Sequence, residues 1–259
     1  MDISQYVTQS DGAVSFTEEQ ASEFAKGMAG DFNPIHNPES KRFCVPGDLL
    51  FSVLLHRYGA AQTTRVQFSG MLDGSTRMLL PDSIDGTETI TDVRDRALLS
   101  LSLLGDRFTS EPFISSLSEQ YVRFSGQTFP DILVPLMKGA GVMINPDRPL
   151  VIYKDMAIEL DESAAALFER GDNGMLETLH KPLNDELSLK LASTEIDVDG
   201  RKGRVRLAFD IAVGGRRIGT GEKNLVLSGL RDYEESAMQQ IVDQYNLWRQ
   251  SYSAIRRAL

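Results

Sequence analysis

The same order of predicted elements occurs twice along this chain of 259 residues. In each copy a short helix and a loop lead into an apolar helix, and strands with tight turns follow. The apolar helices begin at the equivalent segments 46–50 and 130–134, and the strands 66–68 and 151–153 lie downstream of them. Such a repeated order indicates an internal duplication with divergence. We therefore predict two similar units within one chain.

The predicted sheet is antiparallel, so the expected fold class is α+β. Three long strands near 186–199, 203–213 and 216–228 are separated by short glycine-containing turns, which is typical of an antiparallel meander. We place the first unit at residues 1–112 and the second at 113–230.

The tail, residues 231–259, forms a separate element. Its apolar side chains recur at alternating spacings of three and four residues, which predicts an amphipathic helix with one narrow apolar seam. The seam consists of Met238, Ile241, Tyr245, Trp248, Tyr252, Ile255 and Leu259. Two interpretations stay open: the seam packs on the chain's own domain, or it joins two copies in a homodimer.

Local signals predict where the helices begin. Thr17 with Gln20 forms a capping-box pattern ahead of the first helix. The helix over 48–56 is apolar on nearly every side, so we expect it to be buried. In the second half, Ser116 and Glu119 suggest another capping box.

Charge and cysteine content exclude several classes of function. The net charge is −10, from 27 Lys and Arg against 37 Asp and Glu, so an acidic surface argues against nucleic acid as a partner. A single cysteine, Cys44, rules out an intrachain disulfide and a multi-cysteine metal site. With only three histidines as well, we expect neither a metal nor another cofactor.

Targeting signals are not evident in the sequence. The first 20 residues contain no apolar core of signal-peptide length. Nowhere do about 18 apolar residues follow one another, as a membrane-spanning helix requires. We therefore expect a cytoplasmic protein without a membrane span.

The loop at 30–36, Gly-Asp-Phe-Asn-Pro-Ile-His, is the most informative segment for chemistry. It places a carboxylate, Asp31, and an imidazole, His36, five positions apart on a turn that proline stiffens. Side chains spaced in this way around a bend can face one cleft and hold a single water between them. Addition of water to a double bond needs such a pair, since one group removes a proton from water and another delivers one to carbon.

This heptapeptide, followed by Val-Pro-Gly at 45–47 and an apolar helix, resembles the MaoC-like, (R)-specific enoyl-CoA hydratases. The resemblance runs over about residues 24–55. It implies the hot-dog fold, an antiparallel sheet wrapped around a central helix, and the duplication then implies a double hot-dog. It also implies an acyl thioester of coenzyme A or of acyl carrier protein as the partner molecule.

The resemblance assigns roles to individual positions. Asp31 and His36 would form the catalytic pair that binds and activates water. Gly47 would open the central helix and polarise the thioester carbonyl through its backbone N–H. Asn33 and Pro46 would contribute to the binding of the substrate.

The implied reaction is the reversible hydration of a trans-2-enoyl thioester to the (R)-3-hydroxyacyl form, without a cofactor. The second copy contains neither Asp nor His over 124–129, so it would form a non-catalytic wall of the cleft. Two alternatives stay open. The first is a thioesterase that uses Asp31 as its base. The second is a non-catalytic acyl-thioester-binding protein, which the short segment 37–46 would suit.

Neither the single cysteine nor the basic residues of one hairpin indicate a reactive site. Cys44 reads as a small buried residue. The basic residues near one predicted hairpin read as a solvated turn, with the phosphates of coenzyme A as a second possibility for them. They are Arg201, Lys202, Arg204, Arg206, Arg216 and Arg217.

Overall fold

A computed structural model of the chain describes residues 1–146, 150–183 and 187–258. Within them the protein is α+β, with one large sheet and helices packed against it. Residue 186 of the predicted meander and Leu259 of the predicted seam lie outside the described residues.

The strands range in length from 2 to 13 residues. They are β1 (Thr8–Ser10), β2 (Ala13–Ser15), β3 (Ala60–Phe68), β4 (Met78–Leu79), β5 (Gly86–Asp92), β6 (Ala97–Phe108), β7 (Val142–Met143), β8 (Leu150–Leu160), β9 (Phe168–Arg170), β10 (Leu176–Leu179), β11 (Leu187–Asp199), β12 (Lys202–Val213), β13 (Arg216–Ser228) and β14 (Arg231–Asp232).

Twelve of these strands form a single sheet in the described part of the chain, and β7 pairs with β14 apart from it. The main path runs β1-β2-β4-β5-β6-β3-β8-β13-β12-β11, and every pair along it is antiparallel. The predicted meander of β11, β12 and β13 is confirmed by its continuous pairing.

The two halves of the chain meet where β3 pairs with β8. Thr63 faces Glu159 at one end of this ladder, and Gln67 faces Asp155 at the other. The two strands are the ones that the sequence analysis predicts to be equivalent. The sheet is therefore unbroken across the halves, and the division into two units stays a prediction.

The helices vary widely in length. They are α1 (Glu18–Glu23), α2 (Gly47–Tyr58), α3 (Glu111–Ser125), α4 (Val134–Gly139), α5 (Glu162–Ala165) and α6 (Glu235–Ala258). Two π-helical stretches, Phe24–Ala29 and Thr128–Leu133, and two 3₁₀ turns, Ser4–Tyr6 and Pro34–His36, complete them.

The first capping box is confirmed. The Thr17 hydroxyl accepts a hydrogen bond from the Gln20 backbone N–H at 3.1 Å, and the Gln20 side chain accepts one from the Thr17 N–H at 3.0 Å. Helix α1 runs directly into the π-helical stretch, which ends at Gly30 in the left-handed conformation with φ of 67°.

Helix α2 is buried, as predicted. Every residue from Asp48 to Leu55 is buried, and the ring of Phe51 stacks on Tyr121 of α3 with centroids 4.6 Å apart. A helix that is apolar all round has no face for water, so it lies between other elements.

The second predicted capping box is wrong. Helix α3 begins at Glu111 after Ser110, so Ser116 and Glu119 lie inside the helix. Pro112 lies in the first turn of α3. Proline is tolerated there because the N–H groups of a first turn make no hydrogen bond within the helix.

Helix α3, rather than the segment after Pro130, gives the second half its buried helical face. Its apolar stripe includes Phe113, Leu117 and Tyr121, and Tyr121 contacts Phe209 of β12 with ring centroids 5.4 Å apart. Helix α4 has six residues and buries only Met137 completely. The equivalence of 46–50 with 130–134 therefore describes the order of elements but not their burial.

Helix α6 lies against the chain's own loops. Met238 and Tyr245 are buried, whereas 38% of Trp248 and 61% of Ile255 are exposed. The seam is therefore covered by the same chain near its start and open to solvent at Ile255. Among the described residues, no helix is both long and apolar enough to cross a membrane.

Candidate functional site

The loop that carries Asp31 and His36 is folded by its own side chains. The Asp31 carboxylate accepts a hydrogen bond from the Asn33 backbone N–H at 2.9 Å. The Asn33 side-chain oxygen accepts one from the Ile35 N–H at 3.2 Å and so caps the 3₁₀ turn that contains His36. These short-range bonds and Pro34 fix the bend that the sequence predicts.

Asp31 and His36 converge. Asp31 Oδ2 lies 3.7 Å from His36 Nε2, and both side chains are largely buried. At 3.7 Å the two atoms are too far apart for a direct hydrogen bond. They are close enough, however, to act on one small molecule between or beside them.

The other nitrogen of the His36 ring determines the tautomer. His36 Nδ1 lies 2.7 Å from the Cys44 carbonyl oxygen, which can only accept a hydrogen bond. The proton of the neutral ring is therefore assigned to Nδ1, and Nε2 carries a free lone pair that faces Asp31. The geometry makes His36 a proton acceptor at the end that reaches the carboxyl group.

The short segment 37–46 positions this ring. It turns back on itself through a hydrogen bond from the Phe43 N–H to the Ser40 carbonyl at 3.0 Å. The Cys44 N–H then bonds the Ile35 carbonyl at 3.0 Å, which places the Cys44 carbonyl beside His36. The short segment therefore holds the imidazole in one orientation.

Burial raises the pKa of the Asp31 carboxyl above its usual 3.8, and the neighbouring His36 opposes the shift. The low polarity of the surroundings disfavours the ionised form of the acid. Asp31 therefore keeps its proton to a higher pH than an exposed aspartate does.

A cavity of about 510 Å³ adjoins the pair. The first half contributes the Asp31 loop, the start of α2 and residues 68–72, while the second half contributes residues 151–154 of β8. Most of its lining side chains are apolar, and the volume lies in the range of small-molecule sites. The two halves thus enclose one chamber with a polar end.

The structure brings four of the five sequence-predicted site residues to this chamber. Asp31, Asn33, His36 and Gly47 line it, but Pro46 does not. Pro46 is buried, and its carbonyl accepts hydrogen bonds from the N–H groups of the first turn of α2. Pro46 therefore caps the start of the helix. It does not line the chamber, so the structure gives no support to its predicted contact with the substrate.

Gly47 stands where a side chain would obstruct the chamber. A Cβ atom there would lie 3.1 Å from Tyr153 Cδ2 and 3.3 Å from Phe68 Cζ. Gly47 is the first residue of α2, so its N–H belongs to the first turn, whose N–H groups have no carbonyl within the helix.

Two contacts join the Asp31 loop to the second half. The Asn33 side-chain amide donates a hydrogen bond to the Val151 carbonyl of β8 at 3.1 Å. Gly126, just after α3, approaches the loop so closely that a Cβ there would overlap the Ala29 carbonyl oxygen and lie 3.2 Å from Gly30 Cα. These contacts bring Ser125, Thr128 and Phe129 into the wall of the chamber.

Helix α6 closes another side of the chamber. The Tyr245 hydroxyl accepts a hydrogen bond from the Phe32 N–H at 3.1 Å and donates one to the Gly30 carbonyl at 3.2 Å. Its ring also contacts Phe129, with centroids 5.1 Å apart. The tail predicted as a separate element is thus anchored on both sides of the candidate site.

A buried polar cluster lies behind the chamber, and sequence reasoning missed it. Lys223 of β13 is fully buried, and its ammonium group lies 2.8 Å from Asp48 Oδ1. It also donates to the Tyr121 carbonyl at 2.8 Å and to Ser125 Oγ at 2.5 Å, and Ser125 Oγ lies 2.8 Å from the Tyr153 hydroxyl. The signal for it was present, because Lys223 continues the inward-facing alternation of Leu225 and Leu227 along β13.

Burial lowers the pKa of Lys223, while the adjacent Asp48 carboxylate opposes that shift. Lys223 also lies over the ring of Tyr121, 4.1 Å from its centroid. An ammonium buried in this way is tolerated because every one of its protons has an acceptor.

The cysteine and the basic hairpin considered in the sequence analysis add no reactive group to the chamber. Burial raises the pKa of the Cys44 thiol to about 11, so it stays protonated. Arginines of the basic hairpin face carboxylates, with Arg204 at 3.1 Å from Asp197 and Arg206 at 2.7 Å from Glu222. Within the described residues, no three His, Cys, Asp or Glu side chains form a group that could hold a metal ion.

Solved structures with some likeness to the chain were found at low identity. The tesB protein of Mycobacterium avium subs paratuberculosis is 8% identical over 73% of this chain and 89% of its own, with a TM-score of 0.35. A MaoC-like dehydratase is 10% identical over 85% and 97%, with a TM-score of 0.38. The acyl-CoA thioesterase II TesB2 from Mycobacterium marinum is 11% identical over 90% and 100%, with a TM-score of 0.37. At these TM-scores the likeness establishes neither a shared fold nor a shared activity.

The model of one protein family matches residues 1–170 and 172–236, and its description is "Protein of unknown function (DUF3581)". No curated protein matches the chain. The match includes Asp31, His36, Gly47 and Lys223, and it ends near the start of α6.

Proposed function

The chain belongs to the family whose description is "Protein of unknown function (DUF3581)". Since that description names no activity, we propose a function from the geometry of the site. The protein hydrates a trans-2-enoyl thioester to the (R)-3-hydroxyacyl thioester, and it catalyses the reverse dehydration. The carrier of the acyl group is coenzyme A or acyl carrier protein. The observation that supports this reaction best is the 3.7 Å approach of His36 Nε2 to the Asp31 carboxyl.

Hydration needs a base and an acid side by side, and the pair supplies both. His36 Nε2 takes one proton from water as the water oxygen bonds to C3 of the substrate. Asp31, whose raised pKa favours its protonated form, gives its proton to C2. The proton on His36 then passes to the Asp31 carboxylate, which restores both groups. Since the two groups are neighbours, both additions occur on one face of the double bond.

The need for an acid favours hydration over thioester hydrolysis. A thiolate is a stable leaving group, because thiols have a pKa of about 8.5, and it departs without a proton donor. Hydrolysis therefore needs only a base for water, whereas the C2 carbanion of hydration must be protonated. Burial raises the pKa of the Asp31 carboxyl, and this shift favours a role as the proton donor.

The chamber suits an acyl thioester. Its apolar lining would accommodate the acyl chain, and the Gly47 N–H at the start of α2 would donate a hydrogen bond to the thioester carbonyl oxygen. Polarisation of this carbonyl stabilises the negative charge that develops as C3 is attacked.

The architecture that accompanies this proposal is a double hot-dog with a C-terminal amphipathic helix. The repeated order of elements supports it, as does the antiparallel pairing of the equivalent strands β3 and β8. In this arrangement α2 and α3 are the buried helices of the two units, and α6 covers the cleft between them.

A spectrophotometric assay tests the reaction. Crotonyl-CoA and longer trans-2-enoyl-CoA substrates lose their conjugated absorbance when water adds. We expect turnover by the native chain and a loss of roughly 100-fold or more in Asp31→Asn and in His36→Asn. Asp172→Asn and His180→Asn serve as matched controls, because Asp172 is exposed and the His180 side chain is 49% exposed.

Detection of free thiol and of the acyl product, beside the absorbance, separates the alternatives, because hydrolysis of the thioester also removes the enoyl-thioester chromophore. Release of free coenzyme A without formation of the 3-hydroxyacyl thioester would identify a thioesterase and contradict the hydratase proposal. Ligand binding without turnover at any chain length would contradict it as well and identify a binding protein.

A further inference from the structure

Tyr153 is the one phenol of β8 in the chamber wall, and it comes from the half that carries no Asp–His pair. Its hydroxyl lies 2.8 Å from Ser125 Oγ, and Ser125 also lines the chamber. Behind Ser125 stands the buried Lys223–Asp48 pair. A chain of hydrogen bonds therefore runs from a fully buried ion pair to the surface of the cavity.

The direction of this chain follows from the number of protons. The three protons of the Lys223 ammonium are directed to Asp48, to the Tyr121 carbonyl and to Ser125 Oγ. Ser125 Oγ therefore accepts from Lys223, and its own proton still needs an acceptor because only 3% of Ser125 is exposed. The Tyr153 oxygen is the acceptor within reach.

If the Ser125 proton goes to the Tyr153 oxygen, the phenolic proton of Tyr153 is left for the chamber. The opposite direction would leave the buried hydroxyl proton of Ser125 without a partner, which costs free energy. Burial, together with the nearby Asp48, raises the pKa of Tyr153 well above its usual 10. Tyr153 is therefore a neutral donor over the whole physiological range of pH.

The place of this donor is the start of α2. Tyr153 Cδ2 lies 3.1 Å from where a Cβ of Gly47 would stand, so the ring borders the Gly47 backbone. Gly47 and Tyr153 thus line the same end of the chamber, which brings a backbone N–H and a phenolic O–H to one part of its wall. Two donors that converge on one oxygen form the arrangement that stabilises an oxyanion.

We propose that Tyr153 donates a hydrogen bond to the carbonyl oxygen of a bound thioester, and that Ser125, Lys223 and Asp48 orient it for this task. This inference rests on the proposed function and names the group of the substrate that the second half recognises. The second half is then not a passive wall, because it supplies the electrophilic part of the site. Ser125, Lys223 and Asp48 are positioning residues that act through Tyr153.

Binding of two non-reactive ligands tests the proposal without any turnover. Butyryl-CoA has the thioester carbonyl, and S-butyl-CoA is the thioether that lacks it. Calorimetry on the full chain should show that the native protein prefers the thioester. In Tyr153→Phe we expect the ratio of the two affinities to fall roughly 3- to 10-fold, because one hydrogen bond to the ligand is lost. The affinity for S-butyl-CoA should stay the same.

A spectroscopic readout accompanies the affinities. The carbonyl stretch of ¹³C-labelled butyryl-CoA should shift to lower frequency on binding to the native protein, and the shift should shrink in Tyr153→Phe. Ser125→Ala should shrink it partly, because it leaves the Tyr153 hydroxyl in place but removes its fixed partner. Tyr58→Phe is the matched control, since it loses a hydroxyl bonded to the Pro81 carbonyl at 2.6 Å, away from the chamber.

The outcomes separate this inference from the proposed hydratase. An unchanged thioester preference and an unchanged carbonyl stretch in Tyr153→Phe would overturn the role of Tyr153, even if Asp31 and His36 support turnover. Binding of neither ligand by the native protein would overturn both proposals. A lost preference together with absent turnover would support the carbonyl contact and overturn only the hydration reaction.

Discussion

At the scale of single residues, the protonation of the two key groups depends on their surroundings. The Cys44 carbonyl holds the proton of His36 on Nδ1, so Nε2 is free to accept another. Asp31 stands in a buried position that favours its neutral form.

The raised pKa of Asp31 makes stability depend on pH. Between the usual value of 3.8 and the raised value, the folded chain binds this proton more tightly than the unfolded chain does. The free energy of unfolding contributed by Asp31 is therefore present at low pH and is lost as pH rises through the raised pKa. Asp31→Asn should gain stability relative to the native protein as pH rises from the usual value of 3.8 through the raised pKa.

Urea unfolding of both proteins across this range measures the effect. Asp172→Asn, the same substitution at an exposed position, is the control. A stability difference between Asp31→Asn and the native protein that does not change with pH would contradict the raised pKa.

At the scale of elements, the parts of the fold that follow from local pattern were predictable. The capping box at Thr17, the buried helix α2 and the meander of β11 to β13 each depend on residues close together in sequence. Their signals are periodicity, caps and turns, which act within a few residues.

The features that escaped prediction depend on distant contacts. Ser116 and Glu119 match a capping box, but the apolar stripe on either side of them packs on other elements and carries α3 through the site of the box. From the sequence alone, Lys223 is expected to be a charged surface residue. In the structure it is buried against Asp48, which lies 175 positions away in the sequence. Tertiary packing overrides local propensity at both places.

The convergence of Asp31 and His36 was predictable in part. Their spacing and Pro34 indicate a shared bend, and the structure places them 3.7 Å apart. The tautomer of His36 was not predictable, because it depends on how the segment 37–46 folds back. The chamber itself was not predictable either, since its walls come from residues far apart in sequence.

The junction between α3 and the Asp31 loop yields a prediction for an element. Gly126→Ala would force its new methyl group into the Ala29 carbonyl oxygen, so the loop or the end of α3 must shift. We expect a loss of roughly 1–3 kcal/mol in the free energy of unfolding, together with lower activity. Gly139→Ala is the matched control, because a Cβ there meets no atom within 4 Å.

Denaturant unfolding and the enoyl-CoA assay check both variants. The expected contrast is a destabilised Gly126→Ala beside a Gly139→Ala that resembles the native chain. Equal stability of the two variants would show that the close approach of Gly126 is not needed to hold the loop.

At the scale of the whole molecule, a buried ion pair links the halves. Asp48 belongs to α2 of the first half, and Lys223 belongs to β13 of the second. Charges of this kind contribute little net stability as a pair, because the attraction between them is offset by the loss of water. Either partner left alone, however, is strongly unfavourable.

This asymmetry predicts the behaviour of three variants. Lys223→Met and Asp48→Leu should each lose about 3–5 kcal/mol of stability, whereas the double variant should recover most of that loss. Urea unfolding of the single and double variants measures the coupling between the two positions. A double variant as unstable as the sum of the single variants would contradict the pairing.

The antiparallel ladder between β3 and β8 has a geometric consequence for the chamber. Successive side chains of a regular strand point to opposite faces, so a slip of one residue in this ladder would move the β8 side chains, Tyr153 among them, to new positions relative to β3. The pairing of Thr63 with Glu159 and of Gln67 with Asp155 excludes that slip. The hydrogen bonds between β3 and β8 join the two halves, and they therefore also set the width of the chamber that the halves enclose.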